Sequence, residues 1–188
     1  AAAMRDGLLR VWPDADVDLL PVADGGDGTA AAILEAVGGK RIAREVRGPD
    51  GRTVAAWFAL LSDGVTAVVE LAEASGLALV GAASNDPRTA TTFGTGELIA
   101  AALDAGAKRV LLAIGGSATN DAGAGALSAL GALFLDGAGV ELPPGGAALA
   151  RLETIDDGAL SVRLRGATIE LACDVDNPLV GPNGASAI

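Results

Sequence analysis

The chain has 188 residues, of which 51% are hydrophobic, and 13 Lys and Arg against 24 Asp and Glu give a formal net charge of −11. A chain this acidic lacks the basic surface that nucleic acids and anionic membranes require, and it has no apolar run of about 18 residues that could span a bilayer. It has no histidine and one cysteine, which excludes His bases, His-ligated metals and internal disulfides, and predicts a cytoplasmic protein.

The first part of the chain alternates helices and strands. Apolar residues at helical spacing predict a helix over residues 1–12, and a short strand is predicted at 17–22. A Gly-rich loop at 24–28 then leads into a helix over 29–37, which Asp27 is expected to cap. This order of elements is typical of an open α/β sheet.

After residue 40 the pattern changes to three strands joined by tight turns, which predicts an antiparallel meander. We therefore expect a domain boundary near residue 45, with one domain over 1–45 and a second over 46–188. Two later helices are predicted at 95–105 and 121–130, and two later strands at 108–114 and 167–173. A surface loop is predicted at 137–150. The chain opens inside a predicted helix and stops just after a loop, so we expect it to be truncated at both ends.

The clearest motif follows the strand predicted at 108–114. Two glycines and a set of short polar residues come directly after that strand: Gly115, Gly116, Ser117, Thr119 and Asn120. Glycines let backbone N–H groups approach an anion closely, and a helix N-terminus attracts negative charge. Asp121 can cap the next helix or orient a metal or hydroxyl group. An ordinary strand-to-helix turn is the competing interpretation, and the density of polar residues favours a binding site.

A second motif follows the strand predicted at 17–22. Two carboxylates flank two glycines there, in the sequence Asp24-Gly25-Gly26-Asp27-Gly28-Thr29. Ligands of open α/β sheets bind beyond the carboxyl ends of the strands, and paired aspartates with a threonine suit Mg²⁺, which prefers oxygen ligands. A simple Asp-Gly turn explains Asp27 well as a helix cap, but it explains Asp24 less well.

Three weaker signals lie elsewhere in the chain. Acids and an amide follow the last predicted strand in Asp174-Val175-Asp176-Asn177, where a polar Pro turn is the alternative, and Cys173 is expected to be a small core residue. A Thr-rich loop over residues 89–92 leads into the next helix, with Thr95 or Gly94 expected near its cap, and Thr91 and Thr92 could contact a polyol or phosphate. Glu70 and Glu73 flank the end of a strand, and a solvated sheet edge is the favoured interpretation for both.

Four segments together resemble the bacterial glycerate kinase type 1 family. They are Pro21–Thr29, Gly94–Glu97, Gly115–Asp121 and Ala172–Ser186, and they occur in the order that this family shows. The resemblance extends over essentially the whole chain, which corresponds to about the first half of a family member. One departure is Ala122, which stands where the family usually has a glycine.

The resemblance implies ATP-dependent phosphorylation of D-glycerate with Mg²⁺, giving 2-phosphoglycerate or, alternatively, 3-phosphoglycerate. It implies part of a Rossmann-like domain over 1–45, followed by a second α/β domain with mixed and antiparallel strands. Asp24 or Asp174 would accept the hydroxyl proton, since phosphoryl transfer needs positioning and charge stabilisation more than a covalent intermediate. The other candidate residues would bind substrate or phosphate: Gly25, Gly26, Asp27, Thr29, Gly115, Gly116, Ser117, Thr119, Asn120, Asp121 and Asn177.

A second hypothesis is a non-catalytic ligand-binding or interaction domain, whose acidic surface and apolar content would serve a partner. The two hypotheses differ in whether ADP is released when D-glycerate and MgATP are supplied. The metal ligands are not identified by the sequence, and a homo-oligomer stays open.

Overall fold

The computed structural model describes residues 2–19, 22–81, 86–174, 178–179, 181–182 and 184. The helices are α1 (Ala2–Val11), α2 (Thr29–Val37), α3 (Ala72–Ser75), α4 (Phe93–Asp104), α5 (Ala124–Ala129) and α6 (Gly158–Arg163), with 3₁₀ turns at Leu77–Leu79 and Gly146–Arg151. The strands are β1 (Gly39–Arg47), β2 (Thr53–Leu61), β3 (Thr66–Glu70), β4 (Arg109–Ala113), β5 (Leu133–Leu135), β6 (Thr154–Asp156) and β7 (Thr168–Ala172).

A mixed sheet in the order β1-β2-β3-β4-β7 forms the frame of the described part of the chain. The first three strands are an antiparallel meander, in which Gly39 pairs with Leu61 and Phe58 pairs with Val69. β3, β4 and β7 are parallel, so the carboxyl ends of these three strands lie side by side at one edge. The short strands β5 and β6 form a separate antiparallel pair.

Both faces of the central strands β2, β3 and β4 are covered, and the alternation of side chains along the strands decides which residues face which helix. Phe58 and Val69 belong to the larger core, which contains Leu98 of α4. Their chain neighbours Trp57 and Val68 point the other way and pack with Ala30 of α2. The central strands are therefore apolar on both sides, as expected for buried strands of an α/β fold, whereas β1 is mostly exposed.

Helices α4 and α5 cross at glycine, which brings their backbones close together. A Cβ atom on Gly96 would clash with the carbonyl of Ala126, and one on Gly125 would lie 2.7 Å from the amide nitrogen of Phe93. Glycine inside a helix costs roughly 1 kcal/mol relative to alanine. In these two helices that cost is offset by the close approach of the elements that carry the 115–125 segment.

The structure confirms the mixed α/β class, the meander, the strands at β4 and β7, and helices close to the predicted bounds. The strand predicted at 17–22 is wrong for the described residues there, because no described strand pairs with them and the side chain of Val22 is 83% exposed. The β5–β6 pair was not predicted. None of the described helices is long and apolar enough to cross a membrane.

The division into two domains stays a prediction. Residue 45 lies inside β1, and α2 packs on the same sheet through Ala30 and its partly buried neighbours Ile33 and Leu34. The described part of the chain before residue 45 is therefore in contact with the strands that follow it.

Candidate active site

Three loops meet at the edge of the sheet where β3, β4 and β7 end. The loop after β4 is joined to the loop over residues 24–28 by a hydrogen bond from the amide of Gly115 to the carbonyl of Gly25, at 2.9 Å. Gly25 also lies against the end of β7, since a Cβ atom there would be 2.7 Å from the carbonyl oxygen of Ala172. The structure thus brings together two motifs that are about 90 residues apart in the sequence.

Gly115 and Gly116 are required by this junction. A Cβ atom on Gly115 would lie 2.7 Å from the Cα atom of Gly26, and one on Gly116 would lie 2.6 Å from Oδ1 of Asp27. Gly116 also has a φ of 71°, in the left-handed region that favours glycine. The close approach that the sequence predicted does occur, but it is between two loops of the chain.

The loop over residues 24–28 presents exposed carboxylates on a fixed backbone. Asp24 accepts a hydrogen bond from the amide of Gly26 at 2.9 Å, and the hydroxyl of the buried Thr29 accepts one from the amide of Gly25 at 3.1 Å. The side chains of Asp24 and Asp27 themselves are exposed. They are therefore accessible to a ligand at the carboxyl end of the strands.

The prediction that Asp27 caps α2 is wrong, because the helix begins after Gly28 without a side-chain cap from the adjoining residues. Glu70, the last residue of β3, takes that place from the neighbouring strand. Its carboxylate accepts hydrogen bonds from the amides of Gly28 and Ala30 at 3.0 and 2.5 Å. Glu70 is only 4% exposed, so the favoured interpretation of this residue as part of a solvated edge is also wrong.

Glu73, three residues further along in α3, is partly buried. Burial raises the pKa of its carboxyl group, and the negative charges of Glu70 and Asp27 raise it further. A hydrogen bond with Trp57 and the positive charge of Arg41 act in the opposite direction. Glu73 has intermediate exposure, so the solvated edge expected for it stays a prediction, unlike that for Glu70.

The loop over residues 115–121 is held against the segment after α3. The amide of Leu77 donates a hydrogen bond to the carbonyl of Gly116, and the amide of Ala118 donates one to the carbonyl of Ser75, both at 2.9 Å. Ser117 and Thr119 pair through their hydroxyl oxygens at 2.7 Å. These contacts fix the backbone of the loop on both sides of Ser117.

Asp121 is buried, at 2% exposure, and its two carboxylate oxygens serve as acceptors for the starts of two helices. It accepts the amides of Thr92, Gly123 and Gly125 at 2.8, 3.1 and 3.1 Å, together with the hydroxyl of Thr92. The N–H groups at the start of α5 thus already bind a carboxylate of the chain. This part of the predicted anion cradle is occupied by Asp121.

Thr92, not Thr95, stands at the start of α4, so the capping role expected for Thr95 is wrong. Thr95 lies within the first turn of the helix, where its hydroxyl pairs with that of Ser75 at 2.8 Å. The Thr92 hydroxyl accepts the amide of Ala126 at 2.9 Å while it contacts Asp121. The start of α4 is therefore joined to both α3 and α5 by buried polar contacts.

A cavity of about 400 Å³ opens beside the 115–121 loop. One wall is apolar and includes Leu112 and Leu171 of the parallel strands, whereas the other wall is polar and includes Ser117, Thr119 and Asn120. Among the described residues that line it there is no Lys or Arg. Four predicted binding residues thus line one cavity, namely Ser117, Thr119, Asn120 and the buried Asp121, although Asp24 and Asp27 are not among its lining residues.

The segment after β7 is described only in part. Asp174 is exposed directly beyond the end of that strand, while Asn177 lies outside the described residues. Cys173 is exposed, so the expectation that it is a core residue is wrong. In the described ranges, no group of three His, Cys, Asp or Glu side chains could hold a metal ion.

Sequence reasoning missed Glu70 and the structural role of Thr92. No local signal distinguishes Glu70 from the exposed acids of other strand ends. Its burial depends on α2, whose first residues lie about 40 positions earlier. Thr92 lies in a Thr-rich segment, and the sequence alone does not show which of these threonines stands at the start of α4.

Comparisons with known proteins identify the family and the fold of the chain. A model of the glycerate kinase family matches residues 1–188. The chain is 53% identical to a glycerate kinase of Bacillus subtilis and 48% identical to a glycerate 2-kinase of Escherichia coli, covering all of this chain and 49% of each relative. A solved structure described as a candidate glycerate kinase 2 from Salmonella typhimurium LT2 matches with a TM-score of 0.86 at 49% identity, over all of this chain and 50% of that one. The chain therefore spans about half the length of the curated relatives it matches.

Proposed function

The chain belongs to the glycerate kinase family, and on that premise we propose that the protein containing it transfers the terminal phosphoryl group of ATP to a hydroxyl of D-glycerate. The name of the Escherichia coli relative, glycerate 2-kinase, supports 2-phosphoglycerate as the product rather than 3-phosphoglycerate. A cytoplasmic location is part of the proposal, since the single cysteine allows no internal disulfide.

The observation that carries the proposal is the meeting of the 24–28 loop with the ends of three parallel strands. Open α/β sheets bind ligands at that edge, and here the edge carries an exposed carboxylate, Asp24, on a loop that Gly115 and Gly25 join at 2.9 Å. Phosphoryl transfer requires reactants held in line more than it requires a reactive side chain. A rigid loop with an accessible carboxylate suits that requirement.

In the proposed reaction, the glycerate hydroxyl oxygen forms a bond to the terminal phosphorus while the bond from that phosphorus to the bridging oxygen of ADP breaks. The hydroxyl proton passes to a carboxylate, for which Asp24 is our first candidate and Asp174 our second. Both side chains are exposed at the same edge of the sheet. A carboxylate within hydrogen-bond reach of the hydroxyl can act as the base of such a step.

The remaining candidate residues divide into two groups by their contacts. Ser117, Thr119 and Asn120 line the cavity and are proposed to bind the hydroxyl or carboxylate groups of the substrate. The others are proposed to hold the loops in place: Gly25, Gly26, Thr29, Gly115, Gly116 and Asp121. Asn177 stays a candidate substrate ligand.

Mg²⁺ usually keeps several waters and is held by one or two carboxylates together with substrate phosphates. The donor set of the 24–28 loop fits that pattern, because Asp27 is exposed and lies next to the Gly115-Gly116 junction. We therefore propose Asp27 as a ligand of Mg²⁺. The ion would offset the negative charge of the transferred phosphoryl group.

The test is an assay of ADP release by the full-length protein with D-glycerate and MgATP, with the phosphorylated position read from the product by NMR. The expected result is turnover that depends on D-glycerate and yields 2-phosphoglycerate. Omitting the acceptor provides the control for ATP hydrolysis. No turnover with D-glycerate or related hydroxy acids, together with measurable ligand binding, would favour the non-catalytic binding domain.

A further inference from the structure

One buried carboxylate outside the predicted site connects β3 to the loop that carries Asp24. Glu70 is 4% exposed and accepts the amides of Gly28 and Ala30, residues 42 and 40 positions earlier in the chain. No Lys or Arg forms an ion pair with it among the described residues. Its charge is therefore balanced by backbone N–H groups and by the positive end of α2.

Burying a carboxylate is costly unless its oxygens are well hydrogen-bonded. Here one oxygen of Glu70 accepts the N–H group of Gly28, just before α2, and the other accepts that of Ala30 in its first turn, and that helix has no side-chain cap from Gly28. A helix start of this kind would otherwise be a binding site for phosphate. Because Glu70 already accepts the amides of Gly28 and Ala30, those two N–H groups are not available to a substrate phosphate.

The position of the 24–28 loop depends on three neighbours. Gly115 holds it through a backbone hydrogen bond, Ala172 limits it by close contact at Gly25, and Glu70 holds its C-terminal end. Of these three, Glu70 is the one that acts through its side chain. A substitution of Glu70 can therefore loosen the loop while the strands that carry the neighbouring loops keep their backbone.

We propose that Glu70 is a positioning residue for phosphoryl transfer, which fixes the orientation of Asp24 and Asp27 by holding the amides of Gly28 and Ala30. This proposal rests on the proposed kinase function. Glu70 itself does not contact the reacting groups, because both of its oxygens face the start of α2. A displacement of about 1 Å at a reacting group can lower a rate by about 100-fold, so a small change at Glu70 has a large kinetic effect.

The experiment compares Glu70→Gln with wild type in the full-length protein. Glutamine keeps the shape of the side chain but replaces one acceptor oxygen with an NH₂ group, which faces an N–H donor. We expect kcat to fall by about 10- to 100-fold, with the KM values for D-glycerate and MgATP within about 2-fold of wild type. Amide hydrogen exchange at Gly28 and Ala30 should accelerate in the same variant.

Asp63→Asn is the matched control, because Asp63 accepts the amides of Val65 and Thr66 at the opposite end of β3. It should leave kcat unchanged. A second arm combines Glu70→Gln with Asp24→Asn: if Glu70 acts through the loop, its effect on kcat should be much smaller when Asp24 is already replaced. Equal effects in both backgrounds would overturn the positioning role.

The outcomes separate the two proposals. Wild type without turnover of D-glycerate overturns the kinase function, and the exchange measurement then still decides whether Glu70 holds the loop. An active wild type with normal kcat in Glu70→Gln overturns the positioning role alone. If Glu70→Gln does not fold, Glu70→Asp is assayed, and loss of folding in both variants would show that Glu70 serves the fold rather than the reaction.

Discussion

Substitution of Asp121 tests whether its carboxylate holds the structure around the 115–121 loop or binds substrate. In Asp121→Ala, the amides of Thr92 and Gly125 lose an acceptor in a buried environment, and that of Gly123 loses one in a partly buried environment. In Asp121→Asn, one oxygen remains. It can still serve Thr92 and Gly125, so only the hydrogen bond from Gly123 has to be lost.

The two variants should therefore differ in size of effect. A hydrogen bond to a charged group contributes about 2 kcal/mol, and a buried donor left without an acceptor costs about 1–3 kcal/mol. We expect Asp121→Asn to lower the free energy of unfolding by about 2 kcal/mol and Asp121→Ala to lower it by about 4 kcal/mol. The order of the two effects follows from how many donors each variant leaves without a partner.

The measurement is urea unfolding of the full-length protein followed by circular dichroism. Asp136→Asn is the control, because Asp136 accepts the amides of Ala138 and Val140 in exposed hydrogen bonds, and surface substitutions of this kind usually change stability by less than about 0.5 kcal/mol. An Asp121→Ala variant with wild-type stability and no activity would refute the structural role and return Asp121 to the substrate ligands.

Three further predictions concern the loops around the site. Asp24→Asn should lower kcat by about 100-fold or more with little change in Tm, and a near-normal kcat in steady-state assays would remove Asp24 as the base. Gly116→Ala should destabilise the protein more than Gly139→Ala. The two glycines have similar φ values, 71° and 74°, but a Cβ atom would meet Asp27 only at Gly116. Equal losses of Tm in the two variants would contradict the contact with Asp27. Burial raises the pKa of the Glu73 carboxyl group, so the folded state binds the carboxyl proton more tightly than the unfolded state does. The free energy of unfolding therefore falls as the pH rises from the ordinary glutamate pKa through the raised pKa. Glu73→Gln should therefore raise Tm at pH 7 and lose that advantage near pH 4, whereas a gain in Tm that is the same at both pH values would count against the raised pKa.

The sequence could predict elements whose partners are close along the chain. The turn at Gly48-Pro49-Asp50-Gly51 joins β1 to β2, and the strand and turn signals there specify a hairpin without reference to the rest of the fold. The helix over 29–37 and the strand over 109–113 were likewise visible from periodicity. The strand predicted at 17–22 is absent from its described residues, 17–19 and 22, because a strand needs a hydrogen-bonded neighbour, and propensity does not report whether one is present.

The candidate site was predictable in outline and not in detail. Gly115 and Gly116 were recognised as positions of close approach, but the sequence does not say that Gly25 and Gly26 are what approaches them. Glu70 was assigned to a solvated edge because its partners are the amides of Gly28 and Ala30, which carry no side-chain signal. Contacts between distant backbone groups are decided by topology, which single-sequence patterns do not contain.

The arrangement of the sheet has a consequence for the order of folding. The β1–β2–β3 meander closes through local turns, whereas β4 pairs in parallel with β7, which lies much later in the chain, as in the pairing of Arg109 with Thr168. Local pairings form faster because less chain entropy is lost in closing them. We therefore expect the meander and β4 to assemble during synthesis before β7 arrives. Until then β4 presents an unpaired, apolar strand edge to other nascent chains. Substitutions that delay or weaken the pairing of β7 with β4 should therefore promote misassembly of this sheet.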